Sequence, residues 1–351
     1  MIAMAMCNHP EVLIADEPTT ALDVMVQKEV VDLMKELQQE FGTSILFITH
    51  DMALARLIAD EVLVMQNGRI IGKDFTVNEI VPPSLAPKDN TSPLLALKSL
   101  SIWYNDNSLR TSSNALKSFK AVDNVSFEIH KGDTFGLVGG SGCGKSTISK
   151  AILGLVPIGS GSIIFQDKDI STFTKAMWKA YRKQVQMVFQ DPNASLNPRI
   201  SIGKMLQEVL EVHHITTDKK STQLYLQQLM DKVQLSTSAL EKYPHEFSGG
   251  QKQRICIARA LAVQPEMIIC DESVAALDTK IQEQILELLA QLQQQEQLTY
   301  LFITHDLKVV QQICNQLVVM EQGQLVEKGN AATIISNPHH PYTKALINAM
   351  L

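Results

Sequence analysis

Short apolar runs bounded by turn residues recur along this chain and alternate with stretches in which apolar positions fall three and four apart. The first pattern predicts strands and the second predicts helices. Strands are expected at 12–15 (VLIA), 44–49 (SILFIT), 134–138 (TFGLV), 184–189 (QVQMVF), 267–270 (MIIC) and 300–304 (YLFIT). Weaker alternation at 94–104 and 121–129 predicts two more, and 163–165 (IIF) a short one. Residues 317–320 and 324–326, split by Gln322-Gly323, read as a closing hairpin. Helical spacing covers 148–155, most of 201–240, and 252–263, while the polar stretch 105–118 reads as a loop.

The same pattern occurs twice. VLIAD at 12–16 matches MIICD at 267–271, FITHD at 47–51 recurs unchanged at 302–306, and Ala21-Leu22-Asp23 recurs as Ala276-Leu277-Asp278. Asp16 to Asp271, His50 to His305 and Gly68 to Gly323 all keep one offset of 255. Such self-similarity decides the architecture before any single element does. Met1 then corresponds to Cys256, inside a helical run, and residues 94–255 have no counterpart in the first copy. We expect residues 1–73 to be the C-terminal part of a first domain, without phosphate loop and so without nucleotide binding. Residues 74–93, with Pro82-Pro83, Pro87 and Pro93, read as a linker. Residues 94–335 read as one complete domain carrying an inserted helical subdomain at about 191–250, and residues 336–351 as a tail. The first copy's strands lack neighbours to cover them, which exposes apolar surface and invites association.

The second copy holds the chemistry. Residues 139–147 read GGSGCGKST, after an apolar run and before a helical one. Gly139, Gly140, Gly142 and Gly144, with Ser141 and Cys143 between them, leave backbone N–H groups free to curl round an anion. The following helix adds its dipole at Thr147 and beyond. Lys145 supplies a charge for β- and γ-phosphates, and Ser146 a hydroxyl for Mg²⁺. At 247–251, FSGGQ again opens a helix: Ser248, Gly249, Gly250 and Gln251 present a hydroxyl and free N–H groups to an anion. The strand 267–270 ends in two acids, where Asp271 suits Mg²⁺ and Glu272 suits orienting or deprotonating a water. His305 ends the next strand in both copies of FITHD and reads as a γ-phosphate contact.

Composition narrows the class. The chain has 351 residues, 45% hydrophobic and 19% charged, as in a folded protein. A net charge of −6 gives no footprint for nucleic acid or anionic lipid. Cys7, Cys143, Cys256, Cys270 and Cys314 show no CxxC pairing, which fits a reducing compartment and argues against a cysteine metal site. No run is long enough to cross a bilayer, and 1–7 lacks the basic start of a signal peptide, so a cytosolic protein is expected.

In these motifs, their order and their spacing, the chain resembles the nucleotide-binding domain of ABC transporters over essentially its whole length. GGSGCGKST resembles the Walker A loop, FSGGQ the family signature and MIICDE the Walker B strand. Gln190 is similar in place to the Q-loop glutamine, a catalytic and Mg²⁺-binding position. Residues 275–278 resemble the D-loop, ending in Asp278, and His305 the switch histidine. Tyr104 is similar in place to an aromatic that stacks on adenine, with Trp103 the rival. DPNASLNPR at 191–199 and NPHHPYT at 337–343 resemble the dipeptide/oligopeptide importer subgroup, tandem-domain type, here with its first domain shortened. That subgroup also takes in metal and glutathione importers. Ser273 replaces the Pro of DEP, and Ala275 the usual D-loop Ser.

The resemblance implies an α/β fold of the P-loop NTPase class. It has a RecA-like core, an antiparallel β subdomain and an inserted helical subdomain, preceded by a partial copy of the core. It implies an ATPase using ATP and Mg²⁺, peripheral at the cytoplasmic face of the membrane. Partners are transmembrane permease subunits, a second nucleotide-binding domain and, indirectly, a substrate-binding protein, with no nucleic acid. Because the signature acts in trans, one chain cannot complete a composite site. The rivals are an inactive product of a decayed tandem gene and a soluble ABC ATPase of translation or DNA repair.

Overall fold

A computed structural model of the chain describes residues 2–19, 24–49, 51–66, 68–72, 92–105, 118–275 and 277–349. His50, Ala21-Leu22-Asp23, nearly all of the expected linker 74–93 and most of the expected loop 105–118 lie outside the described residues. The chain divides into two compact units, 1–82 with 344–351, and 83–343.

In the first unit, α1 (Ile2–Met6), β1 (Val12–Asp16), α2 (Val24–Phe41), β2 (Ser44–Ile48), α3 (Met52–Ile58), β3 (Val64–Gln66) and β4 (Arg69–Gly72) follow in order. β1 and β2 pair in parallel, Leu13 opposite Ile45 and Ala15 opposite Phe47. Period-2 alternation divides these strands. Leu13, Ala15, Ile45 and Phe47 lie on the better covered face, and α2 contributes the fully buried Val31 and Met34. On the other face Val12, Ile14, Leu46 and Ile48 are 58, 64, 55 and 44% exposed.

The second unit begins with the long strands β5 (Leu95–Asn105) and β6 (Ser118–Ile129). Next come β7 (Thr134–Val138), α4 (Lys145–Ile152), β8 (Ser160–Phe165), β9 (Lys168–Asp169), α5 (Lys175–Gln184) and β10 (Val185–Val188). The helical insertion holds α6 (Pro192–Ser195), α7 (Ile202–Val212) and α8 (Lys219–Lys232). The chain returns through α9 (Gly249–Leu261), β11 (Met267–Asp271), α10 (Thr279–Glu296), β12 (Thr299–Thr304) and α11 (Leu307–Ile313). β13 (Gln316–Glu321), β14 (Gln324–Asn330), α12 (Ala331–Ser336) and the start of α13 (Pro341–Asn348), as far as Thr343, close it.

Six strands form one sheet in the order β10-β11-β12-β7-β13-β14, parallel except for the final hairpin. β6-β5-β8-β9 form a separate antiparallel sheet. The large sheet is a wall between two apolar clusters. Ile268, Cys270, Tyr300 and Phe302 point into the cluster shared with α7 to α10. Met267, Ile269, Leu301 and Ile303 point into the cluster shared with α4 and the antiparallel sheet. Both faces of β11 and β12 are therefore buried, which explains why these strands read as unbroken apolar runs.

The elements match between copies at the sequence offset. α1 ends at Met6 where α9 ends at Leu261, and α2 spans the positions of α10. The hairpin strand at 324–326 runs on to Asn330, because it stays paired with β13. The helix after the glycine loop starts at Lys145, three residues before its apolar spacing shows, and ends at Ile152. α9 likewise starts at Gly249, earlier than its apolar spacing, because Ser248 caps it.

Candidate functional site

The glycine loop leaves the C-terminal end of β7, an interior strand of the large sheet, and runs into α4. Gly139 admits no side chain, because a Cβ there would stand 2.2 Å from the Met320 carbonyl oxygen. Gly144, at φ +104°, would set a Cβ 2.4 Å from the Ala121 carbonyl oxygen. The loop is further tied to the hairpin turn, since Gly323 N–H donates to Cys143 O at 3.1 Å. Lys145 is buried, and its Nζ donates to Gly139 O at 2.7 Å and Gly140 O at 2.9 Å. Its third contact is a long one, to Cys143 Sγ at 3.8 Å, which an anion in the cradle would replace.

α4 presents two hydroxyls to the end of β11. Ser146 Oγ donates to Asp271 Oδ1 and Ser149 Oγ to Asp271 Oδ2, each at 3.4 Å. Burial, and next the charge of Glu272, push the Asp271 carboxyl above its ordinary range. No group of three His, Cys, Asp or Glu able to cage a metal exists among the described residues. Mg²⁺ needs no such cage, since it takes one or two protein oxygens and completes its shell with phosphates and waters. Ser146 and Asp271 supply oxygens of that kind, and a cation would relieve the buried charge.

Glu272 sits in the left-handed region at φ +47°, a posture that costs a non-glycine residue about 1 kcal/mol or more. Its N–H is held by Ile303 O at 2.8 Å. Its carboxylate meets two side chains. Gln190 Nε2 donates to Oε2 at 2.7 Å, and His305 Nδ1 lies 3.2 Å from Oε1. The His305 hydrogen bond holds the Glu272 carboxyl below its ordinary range despite partial burial, so it remains an ionised acceptor. Lys145, Ser146, Asp271, Glu272, Gln190 and His305 thus form one cluster across four strand ends. Gln190 reaches Glu272, and no bond from it to Ser146 or Asp271 is seen.

The FSGGQ stretch is a helix start. Ser248 N-caps α9, its Oγ accepting from Gln251 N–H while Gln251 Oε1 accepts from Ser248 N–H at 3.0 Å. Ser248, Gly249 and Gln251 are exposed, and a Cβ on Gly250 would meet Ile281 Cγ2 at 2.4 Å. Asp278 caps α10, accepting from Ile281 N–H at 3.1 Å. Segment 191–195 docks on α9, with Lys252 Nζ on Asn193 Oδ1 at 2.8 Å and the Arg259 guanidinium on Ser195 O. The loop after Gln190 is thereby joined to the helix that FSGGQ opens.

Of the two aromatics on β5, Trp103 is already engaged. It covers Gly159, where a Cβ would fall 1.8 Å from its ring, and Lys120 Nζ stands 5.3 Å from the ring centroid. Tyr104, its neighbour on the opposite strand face, is exposed. Sequence reasoning missed two members of the neighbourhood. Ser149 was findable, because three residues after Ser146 it shares that helix face. Tyr342, whose Oη accepts from Gly140 N–H at 2.7 Å, lies 202 residues away and gives no local signal.

Residues 122–275 match the family described as ABC transporter, and residues 326–351 match that described as Oligopeptide/dipeptide transporter, C-terminal region. Escherichia coli (strain K12) YejF, an ABC transporter ATP-binding protein, is 40% identical over 99% of this chain and 68% of its own length. Agrobacterium fabrum YejF, a peptidoglycan transport ATP-binding protein, is 39% identical over 99% of this chain, which spans 66% of it. The glutathione import ATP-binding protein GsiA of Shigella dysenteriae is 40% identical over the whole chain, which spans 63% of its length. Among solved structures, cbiO1 of Clostridium perfringens, part of the cbiONQ transporter complex, has a TM-score of 0.60 at 24% identity. The similarity takes in 70% of this chain and 92% of cbiO1, and supports the fold.

Proposed function

This chain belongs to the ABC transporter ATP-binding family, and on that premise we propose that residues 92–343 bind and hydrolyse ATP to drive an importer of peptide-like substrates. The observation that carries the reading is the convergence of the glycine loop, Lys145, Ser146 and Asp271 with the Glu272–Gln190–His305 cluster. Loop N–H groups and Lys145 hold the β- and γ-phosphates, and exposed Tyr104 offers a face for adenine. Ser146 and Asp271 hold Mg²⁺, whose charge offsets that of the phosphates. Glu272, kept ionised, orients a water and takes its proton as the water oxygen attacks the γ-phosphorus. The bond to the β–γ bridging oxygen breaks, leaving ADP and inorganic phosphate. His305 steadies Glu272 and faces the γ-phosphate, and Gln190 reports its presence.

Ser248, Gly249, Gly250 and Gln251 act on the nucleotide of a second nucleotide-binding domain, with Asp278 at the same junction. That partner is another copy of this chain or a separate polypeptide. Transmembrane permease subunits dock by the segment after Gln190, whose contact with α9 lets one displacement reach both the Gln190 amide and Ser248. Peptide-like cargo is supported by the C-terminal region match and by relatives named for peptidoglycan and glutathione transport. The protein then works at the cytoplasmic face of a membrane, and no helix among the described residues is long and apolar enough to cross one. Phosphate release by the full chain, measured across a dilution series, is expected to fall per molecule as concentration falls. A turnover number independent of concentration would overturn the need for a partner.

A further inference from the structure

The peptide that joins Gly139 to Gly140 is gripped from both sides. Its carbonyl oxygen, Gly139 O, accepts from Lys145 Nζ at 2.7 Å, and its N–H, on Gly140, donates to Tyr342 Oη at 2.7 Å. A peptide unit is planar, so fixing the direction of its N–H fixes the direction of its C=O. A hydrogen bond at one end also polarises the other, making the carbonyl a better acceptor for the ammonium. The tyrosine is itself moored. Glu327 on β14 accepts from His339 N–H at 3.0 Å and His340 N–H at 3.1 Å, and Tyr342 N–H donates to His340 Nδ1 at 3.3 Å. The fit is close, since a Cβ on Gly140 would stand 3.1 Å from the hydroxyl.

We propose that Tyr342 is a positioning residue for nucleotide binding: the C-terminal tail, moored through Glu327, sets the Gly139–Gly140 peptide and through it the Lys145 ammonium. The inference rests on the reading of the glycine loop as the ATP site. With its ammonium fixed on Gly139 O and Gly140 O, Lys145 is set at the cradle before nucleotide arrives, and only its long contact to Cys143 Sγ has to be exchanged for a phosphate oxygen. Without the hydroxyl the peptide is held from the Lys145 side alone, and nucleotide must complete its ordering on binding. A neutral hydrogen bond of this kind is worth roughly three- to tenfold in an equilibrium constant.

The test is calorimetric titration of the full chain with the magnesium complex of a non-hydrolysable ATP analogue. Wild type is expected to bind and Lys145→Ala to lose binding; failure of wild type itself would remove the ATP reading. Given binding by wild type, Tyr342→Phe and Tyr342→Ala are both expected to weaken it roughly three- to tenfold. Phe keeps the ring, so recovery of wild-type affinity by Phe would mean a packing role only and would overturn the proposal. Gly140→Ala, which crowds the hydroxyl, is expected to weaken binding in wild type and to do less harm beside Tyr342→Phe; equal harm in both backgrounds would also overturn it. If Tyr342→Phe fails to melt cooperatively, Glu327→Ala frees the mooring and leaves the hydroxyl in place. It is expected to weaken the same titration, and unchanged affinity would sink the idea.

Discussion

Residues 12–16 and 267–271 form the same strand, followed by the same helix and the same second strand, yet they live in different worlds. β11 is buried along its whole length, whereas β1 is buried only at Ala15. The parity that separates faces is common to both. Val12, Ile14, Leu46 and Ile48 stand where Met267, Ile269, Leu301 and Ile303 stand, and the latter four meet α4 and the antiparallel sheet. The described residues of 2–72 contain no equivalent of either. The acids agree as well: Glu17 has φ +44° and Glu272 φ +47°, each N–H held by the next strand. Local sequence thus builds the scaffold of a site twice. In the second copy a glycine loop, a Lys and a Gln are brought against that scaffold.

The largest contrast should come from the paired glutamates. Glu272→Gln is expected to cut ATP turnover by about a hundredfold or more, in line with loss of a general base. Glu17→Gln should leave the rate of phosphate release unchanged. Equal effects of the two would erase the distinction between copies.

Next come the faces. Ile269→Asp puts a carboxylate into a sealed cluster, at a cost of several kcal/mol, and should abolish cooperative melting. Ile14→Asp, at a position 64% exposed, is expected to leave the melt intact and to reduce light scattering by concentrated protein. A collapse of the fold on Ile14→Asp would mean that this face is covered in solution.

The smallest effect concerns Asp271. Its carboxyl is raised by burial and by Glu272, so its ionised form is a burden in the nucleotide-free chain. A raised group favours the fold below its unfolded pKa and loses that contribution as pH rises through the folded value. Asp271→Asn should therefore raise the neutral-pH melting midpoint by about 2–4 °C per kcal/mol relieved. The gain should shrink in acid, once wild-type Asp271 is protonated. The variant should also lose the further stabilisation that Mg²⁺ with nucleotide gives wild type. A lower midpoint for the variant at neutral pH would show the carboxylate to be well paired.

Much of this was legible before the coordinates. Apolar runs located the sheet because parallel strands buried on both faces leave no polar alternation to confuse them. Glycines flanking a Lys-Ser pair located the tight loop between β7 and α4, since few other arrangements require so little bulk. The two acids at 271–272 could be read as a pair with separate tasks, but the left-handed backbone at Glu272 could not. α5 escaped, as its KAMWKAYRKQ carries scattered charge and buries only Tyr181. Tyr342 escaped for another reason. Its hydroxyl meets the loop only after the whole sheet has closed, and no spacing along the chain records a meeting of that kind.

The sheet that separates the two apolar clusters has one further consequence. Neighbouring residues of β11 and β12 belong alternately to opposite lobes, so each strand works like the common wall of two rooms. A shift of either strand moves side chains in both rooms at once, because the two clusters share its backbone. Coupling between a docked partner and the nucleotide could then be a matter of masonry.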